Sequence, residues 1–375
     1  MSTNRRAGTT VAVSPPVRVR GPIPLPRNVR DLAGGNPDPA LLPPLGPALA
    51  RLDTMHKLYG GPAKLPQLVE LAQADFAADG VAGDVAIVGG ALDGIERAAQ
   101  SYLRPGDRVV VEDPSWPRIA ALLTALGLVL EPVPVDERGL LAAELEQALR
   151  RGARAVVVSP RGQNPTGAAV DGARGRELRG VLGRHPEVLV VEDDYVAAVA
   201  GAPYISLHDA SPRWAAIRSL SKVLGPDLRI AVVAGDPLTI SRVDGRQLLG
   251  PGWVSHLLQQ TASHLWGSAA TKRLLARAER TYAERRNALV EALAARGIEA
   301  TGATGLGVWV PLADEAATAQ QLLERGWAVS PGERYRFATA PGIRITTTTL
   351  EPDEAERLAA DLAATLARTS ATYAG

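Results

Sequence analysis

The chain contains no cysteine. That excludes disulfides, thiolate nucleophiles and thiolate metal sites, and it fits a reducing cytoplasm. No apolar run reaches the roughly 20 residues that span a bilayer. Residues 1–30 also lack the continuous apolar segment of a secretory signal, so no membrane partner is expected. There are five histidines and none stands in an H-E-x-x-H pattern, so no metal site is expected. His256 and His264, eight apart, read as one helix face. The net charge of +1 gives no global field favouring nucleic acid. Lysine is the scarcest charged residue: of 41 basic side chains only Lys57, Lys64, Lys222 and Lys272 are lysines.

What is present is a long, apolar chain of 375 residues with 46% hydrophobic content, enough for two domains. Pro15, Pro16, Pro22, Pro24 and Pro26 disfavour helix in 1–30, which reads as an extended arm carrying six arginines. Between about 84 and 235, short β-branched runs (Val85–Val88, Arg108–Val111, Ala155–Val158, Val188–Val191, Ala216–Leu220, Ile230–Ala234) alternate with segments of helical periodicity. The alternation predicts an α/β fold: a mostly parallel central sheet with helices on both faces. A long helix over 271–296, strands at Gly307–Val310 and Ile343–Thr347 and a last helix near 353–366 predict a smaller α+β C-terminal domain. The expected division is an arm (1–30), a large domain (31–270), and a linking helix with the small domain (271–375).

Ligands of such sheets bind beyond the carboxyl ends of the strands. The turn Val88-Gly89-Gly90-Ala91-Leu92 opens a helix, and its free N–H groups suit either a phosphate or an ordinary strand–helix connection. Trp116 follows the next strand, where it either stacks on a planar ring or fills the core. Ser159-Pro160-Arg161-Gly162-Gln163-Asn164-Pro165-Thr166-Gly167 holds the Asn164 amide in rigid turn chemistry. Glu192-Asp193-Asp194-Tyr195 places three acids at the end of a buried strand, which calls for a cationic partner. In Ser219-Leu220-Ser221-Lys222, with Arg229 seven residues on, one lysine sits among hydroxyls. It is either a surface lysine or an amine required to lose its proton, a task arginine cannot perform.

This ordered set resembles the fold-type I pyridoxal 5'-phosphate (PLP) enzymes of the class I/II aminotransferase family, from about Asp31 to the last helix. The resemblance implies that Lys222 holds PLP as a Schiff base and moves the substrate's α-proton. It implies that Asp193 pairs with the pyridine nitrogen and that Asn164 and Tyr195 bind the ring's phenolic oxygen. Trp116 would stack on the ring. The N–H groups of Ala91 and Leu92, with Ser219, Ser221 and Arg229, would hold the phosphate. Arg344, in Gly342-Ile343-Arg344-Ile345, would clamp the carboxylate of a small amino-acid substrate, with Gly35 in the family's N-terminal substrate loop. Tyr59 would reach the phosphate of a neighbouring subunit, which makes a homodimer with shared active sites the expected assembly.

The two-residue step from Asp193 to Tyr195, the Lys222–Arg229 spacing and the segment Trp327–Tyr335 are similar to the aminotransferase-like domain of MocR/GntR-type regulators. About thirty residues precede Asp31, too few for a winged helix, so a stand-alone enzyme without a nucleic-acid partner is expected. Lys64-Leu65-Pro66-Gln67-Leu68-Val69 departs from the family's common Gly-x-x-x-Leu-Arg. Stand-alone PLP enzymes of lincosamide-type pathways are also similar. Amino transfer at the Cα of an L-α-amino acid or its conjugate is what the family resemblance implies by default; the second reading is C–S β-elimination, or decarboxylating and oxidative deamination, of a cysteine conjugate in natural-product biosynthesis. A PLP-binding sensor domain without turnover is the third reading.

Overall fold

The computed structural model describes residues 2–4, 8–10, 25, 26 and 28–373. Most of the expected arm lies outside the described residues; within it, Ser2–Asn4 pairs antiparallel with Gly8–Thr10. The centre is an eight-stranded sheet: β1 (Asp84–Val88), β2 (Arg108–Asp113), β3 (Val129–Asp136), β4 (Gly139–Leu140), β5 (Ala153–Val158), β6 (Leu189–Asp194), β7 (Trp214–Ser219) and β8 (Ala231–Gly235). Its spatial order is β1-β8-β7-β6-β5-β2-β3-β4. The pairs from β7 through β3 are parallel, while β8 runs antiparallel to both its neighbours and β4 antiparallel to β3.

Side chains alternate between the two faces of a strand, and here both faces are covered. Val156, Val158, Val190, Val232 and Ala234 enter one apolar cluster. Ala155, Val157, Leu189, Val191 and Val233, the opposite parity, enter a second on the other face. This double burial is why the strands read as nearly continuous apolar runs. β3 escapes that pattern because Pro132 and Pro134 interrupt it. It tolerates them because β4 pairs only with Val135 and Asp136, leaving most of its outer edge without a ladder that needs an N–H.

The 26-residue helix Ala269–Ala294 links the two regions. Leu275, Ala278 and Tyr282 belong to the first sheet cluster, and Leu289, Ala292 and Leu293 to a third, C-terminal cluster. That cluster covers β9 (Gly307–Pro311), β10 (Ser330–Pro331) and β11 (Gly342–Thr346), arranged β9-β11-β10 with both pairs antiparallel. The final helix, Pro352–Tyr373, packs along the long one. Leu32 is fully buried in the third cluster, and Arg30–Asp31 pairs in parallel with Trp327–Ala328. Residues 30–32 therefore pack with the C-terminal elements, although they precede the sheet in the chain. Among the described residues no helix is long and apolar enough to cross a membrane, and no group of three His, Asp or Glu could hold a metal ion.

Candidate active site

β6 carries its three acids into three different environments. Glu192 accepts from Ser206 Oγ at 2.7 Å and from the Tyr204 hydroxyl and Leu207 N–H. Burial nevertheless raises its pKa. Asp194 takes a bidentate pair from Arg161 at 2.9 and 2.8 Å and a bond from Arg218 Nε at 2.8 Å. Burial opposes its ionisation, but the two guanidiniums hold it below the ordinary carboxylate range. The cation that the acid triplet called for is thus supplied twice within the chain, and only to Asp194.

Asp193 receives nothing comparable. It is 1% exposed, and its Oδ1 has no hydrogen-bond partner. Burial, then the charge of Asp194, raises its pKa to about 7. Buried polar atoms are rarely left unpaired. A carboxylate held this way fits a protonated ring nitrogen. Asn164 Oδ1 is likewise buried and unpartnered. Tyr195 donates its hydroxyl to Gly162 O at 2.6 Å, and burial pushes its phenol up. Asn164, Tyr195 and Arg344 line one small cleft with Leu306 and Gly307.

Lys222 lies three residues beyond β7. Its Nζ donates to the carbonyl of Gly35. Burial, then the positive charges of Arg344 and Arg229, lower its pKa to about 8. Gly35 also lies against Arg344: a Cβ there would stand 3.1 Å from Arg344 Nη2. The Arg344 guanidinium is held by the Tyr335 hydroxyl at 3.3 Å and by Thr346 Oγ1 at 3.0 Å.

The turn before helix Ala91–Tyr102 is a cradle. Gly90 has φ +111°, and no side chain caps the helix start. A Cβ at Gly90 would fall 2.5 Å from Arg229 Nη2, so only glycine leaves that guanidinium in place. Arg229 itself has φ +48°. Ser219 Oγ accepts from Ser221 N–H at 3.3 Å, closing the hydroxyl-bearing side. The N–H groups of Ala91 and Leu92 at this uncapped helix start, with Arg229 against Gly90, are an arrangement that suits an anion. Trp116 is half-buried against the second sheet cluster, beside the same strand ends. The orphaned Asp193 oxygen, the lowered amine and the anion cradle fit the protonated ring nitrogen, aldehyde and phosphate of PLP, while the Asn164 side-chain amide stands beside them with its NH2 as the donor a phenolic oxygen would need.

Tyr59 is not gathered with the others. It is 92% exposed and touches Trp253, ring centroids 5.5 Å apart. Lys64, in the segment that departs from the family pattern, binds Asp244 at 2.8 Å and Val85 O at 2.9 Å, so it ties a loop to β1. The sequence reading missed Glu112, Asp113, Arg218 and Tyr335. Glu112 is buried against Ser159 N–H and the Gln163 amide, at 3.2 and 3.3 Å, and burial raises its pKa to about 8. Arg218 was visible as a lone charge in an apolar strand, and Glu112 and Asp113 as two acids ending one; Tyr335 carried no local signal.

The family model for aminotransferases of class I and II matches residues 29–362. The vitamin B6 salvage pathway transcriptional repressor PtsJ of Salmonella typhimurium is 40% identical over 363 residues, covering 95% of this chain and 84% of that protein. Further curated relatives are matched over about half of their own length. Among solved structures, a Pyrococcus horikoshii kynurenine aminotransferase superposes with TM-score 0.83 at 23% identity, covering 91% of both chains. Thermus thermophilus LysN, an α-aminoadipate aminotransferase, gives 0.82 at 23% identity over 92% of this chain and 94% of the other. The chain therefore belongs to the aminotransferase class I and II family, with the PLP fold type I and pyridoxal 5'-phosphate as its cofactor.

Proposed function

We propose that this protein is a PLP-dependent aminotransferase acting at the Cα of an L-α-amino acid or its conjugate. The observation that carries the reading is the convergence on Gly35: its carbonyl takes the Lys222 amine, and its missing side chain leaves room beside Arg344. An amine and a guanidinium on one glycine suit a substrate that presents an α-carbon and a carboxylate together. Bound PLP supplies a conjugated electron sink that acidifies the Cα–H bond.

In this reading Asp193 keeps a proton on the ring nitrogen, while Asn164 and Tyr195 orient the phenolic oxygen. Trp116 covers a ring face. Ala91, Leu92, Ser219, Ser221 and Arg229 hold the phosphate by charge-assisted bonds. Arg344 binds the carboxylate as a planar fork. Lys222, whose amine is lowered to about 8 by burial and by Arg344 and Arg229, takes the α-proton and returns it. The test is amino transfer from a panel of L-amino acids to a 2-oxo acid. Arg344→Ala is expected to raise KM by roughly 10²-fold, the cost of removing a charged bidentate partner. An unchanged KM would remove Arg344 from the substrate site.

One observation favours a second reading, a PLP-bound sensor without turnover: the 40% identity to a transcriptional repressor across nearly the whole chain. Steady-state product from any amino acid excludes it. The same proton removal would serve β-elimination, marked by release of pyruvate, ammonia and thiol from a cysteine S-conjugate.

The proposed assembly is a two-fold dimer. Tyr59, Leu58, Met55 and Leu249 are 92, 79, 77 and 89% exposed, and a partner covering them would bring Tyr59 to a neighbouring phosphate. Tyr59→Phe is expected to weaken PLP binding about tenfold, the worth of one bond to a charged group. A fully active monomer in sedimentation at assay concentration would refute the shared site.

A further inference from the structure

Asp113 ends β2, three residues before Trp116, and none of the roles above uses it. It is 2% exposed, and its carboxylate is directed at a segment more than two hundred residues away. Its Oδ1 accepts from Phe337 N–H at 2.8 Å, and its Oδ2 from Ala338 and Thr339 N–H at 2.8 and 3.0 Å. Thr339 Oγ1 donates to the Asp113 carbonyl at 3.0 Å, and Ser115 N–H donates to Tyr335 O at 2.7 Å. Three consecutive N–H groups on one carboxylate make a small anion nest, turned here to holding two parts of one chain together.

The segment so held runs from Tyr335 to β11, which carries Arg344. It has no helix or strand of its own between Arg336 and Pro341. Tyr335 is the residue whose hydroxyl meets Arg344 Nη1 and donates to Ser330 Oγ at 3.2 Å. The far side of the segment is fixed inside the C-terminal region: Glu315 accepts from Arg336 at 2.9 Å and from Gly342 N–H at 2.9 Å. Glu315 thus shapes the segment, while Asp113 determines where it sits relative to the sheet.

We propose that Asp113 is a positioning residue for the substrate clamp: it fixes Tyr335, and through it Arg344, against the strand ends that carry Trp116 and Asp193. This rests on Arg344 binding the substrate carboxylate. A carboxylate suits the task because both its oxygens accept and each bond is charge-assisted. An asparagine would present one accepting oxygen and turn an N–H donor toward another donor. An alanine would leave three N–H groups without their acceptor. A misplacement of about 1 Å at a reacting site costs about 10²-fold.

The experiment uses the holoenzyme of wild type, Asp113→Asn, Asp113→Ala and Arg344→Ala. Three quantities are read: PLP affinity by equilibrium dialysis; affinity for L-alanine, L-leucine and L-glutamate from the visible absorption change together with KM and kcat; and the rate of tryptic cleavage at Arg334 and Arg336, which flank Tyr335. Asp113→Ala is expected to weaken the amino acid that binds best by at least tenfold, with Asp113→Asn between it and wild type. PLP affinity should stay within twofold of wild type, and tryptic cleavage should be at least tenfold faster. Loss of PLP affinity in proportion to amino-acid affinity would overturn the proposal, since Asp113 would then only support the cofactor site. Wild-type amino-acid affinity in Asp113→Ala would overturn it as well. If Arg344→Ala leaves amino-acid binding unchanged, or if no amino acid binds wild type, the functional reading fails instead. The latch is then judged by proteolysis, and unchanged cleavage refutes it.

Discussion

Lys222→Ala is expected to fold, to lose the visible absorption of covalently held PLP, and to transfer amino groups at least about 10⁴-fold more slowly. The fold should survive because Lys222 contributes little to it. Its amine meets only a backbone carbonyl and lies between two arginines whose charges repel it. Removing a partly desolvated cation from such a place relieves strain in the charge pattern. The chemistry should not survive, since no other lysine is expected at the strand ends and arginine cannot give up its proton. The wild type offers a second readout. With the amine's pKa lowered to about 8, PLP loading should speed up as pH rises toward 8 and level off above it. An unperturbed lysine would keep accelerating toward about 10.4. A variant that purifies with the wild-type visible spectrum would end the assignment.

Asp193→Asn should have opposite effects on stability and activity. The Asp193 carboxyl has its pKa raised from 3.8 to about 7 by burial and by Asp194. A carboxyl raised in the folded state binds its proton more tightly there than in the unfolded chain. Its contribution to stability is therefore complete below about pH 4 and is lost as pH rises through about 7. A shift of this size corresponds to up to about 4 kcal/mol in the cofactor-free protein. Asparagine, of the same shape and without the charge, removes that loss. The cofactor-free variant should therefore melt several degrees above wild type at pH 8, with the difference shrinking toward pH 4. Glu112, raised to about 8 by its own burial, keeps part of the pH dependence in both proteins.

Activity should fall on the order of 10²–10³-fold, the size typical of losing one preorganised electrostatic partner. Calorimetry across pH and the transfer assay together check the pair of effects. A variant less stable than wild type at pH 8, or equally active, would show that Asp193 is an ordinary structural acid. The unpartnered Oδ1 favours the functional account, because a stabilising acid would be paired as Asp194 is.

The sequence displayed the elements with little ambiguity where local and global preferences agreed. Both parities of β5, β6 and β8 are apolar because both sheet faces are covered, and that announces a sheet buried on both sides. β3 was hidden by its two prolines, which only its partly unpaired edge position makes acceptable. Glycine at 90 was legible because a tight turn at φ +111° before an uncapped helix admits few residue types. The partition of the three acids was not legible. Glu192, Asp193 and Asp194 are neighbours in the chain, but their pleated side chains diverge. Arg161 and Arg218, which neutralise only the last of them, come from other segments.

By itself, then, the sequence determined the alternation of strands and helices, the positions of the strand-end turns, and which side chains can do amine, acid and anion chemistry. These follow from short-range sterics, from the spacing of apolar residues and from intrinsic side-chain chemistry. Tertiary structure decided which acid stays unpaired, how far the Lys222 amine is lowered, and that Gly35 joins it to Arg344. It also decided that Asp113 ties the segment between Tyr335 and β11 to the sheet. Those outcomes depend on burial and on charges brought together from distant parts of the chain, Gly35 and Arg344 among them, which no local pattern encodes.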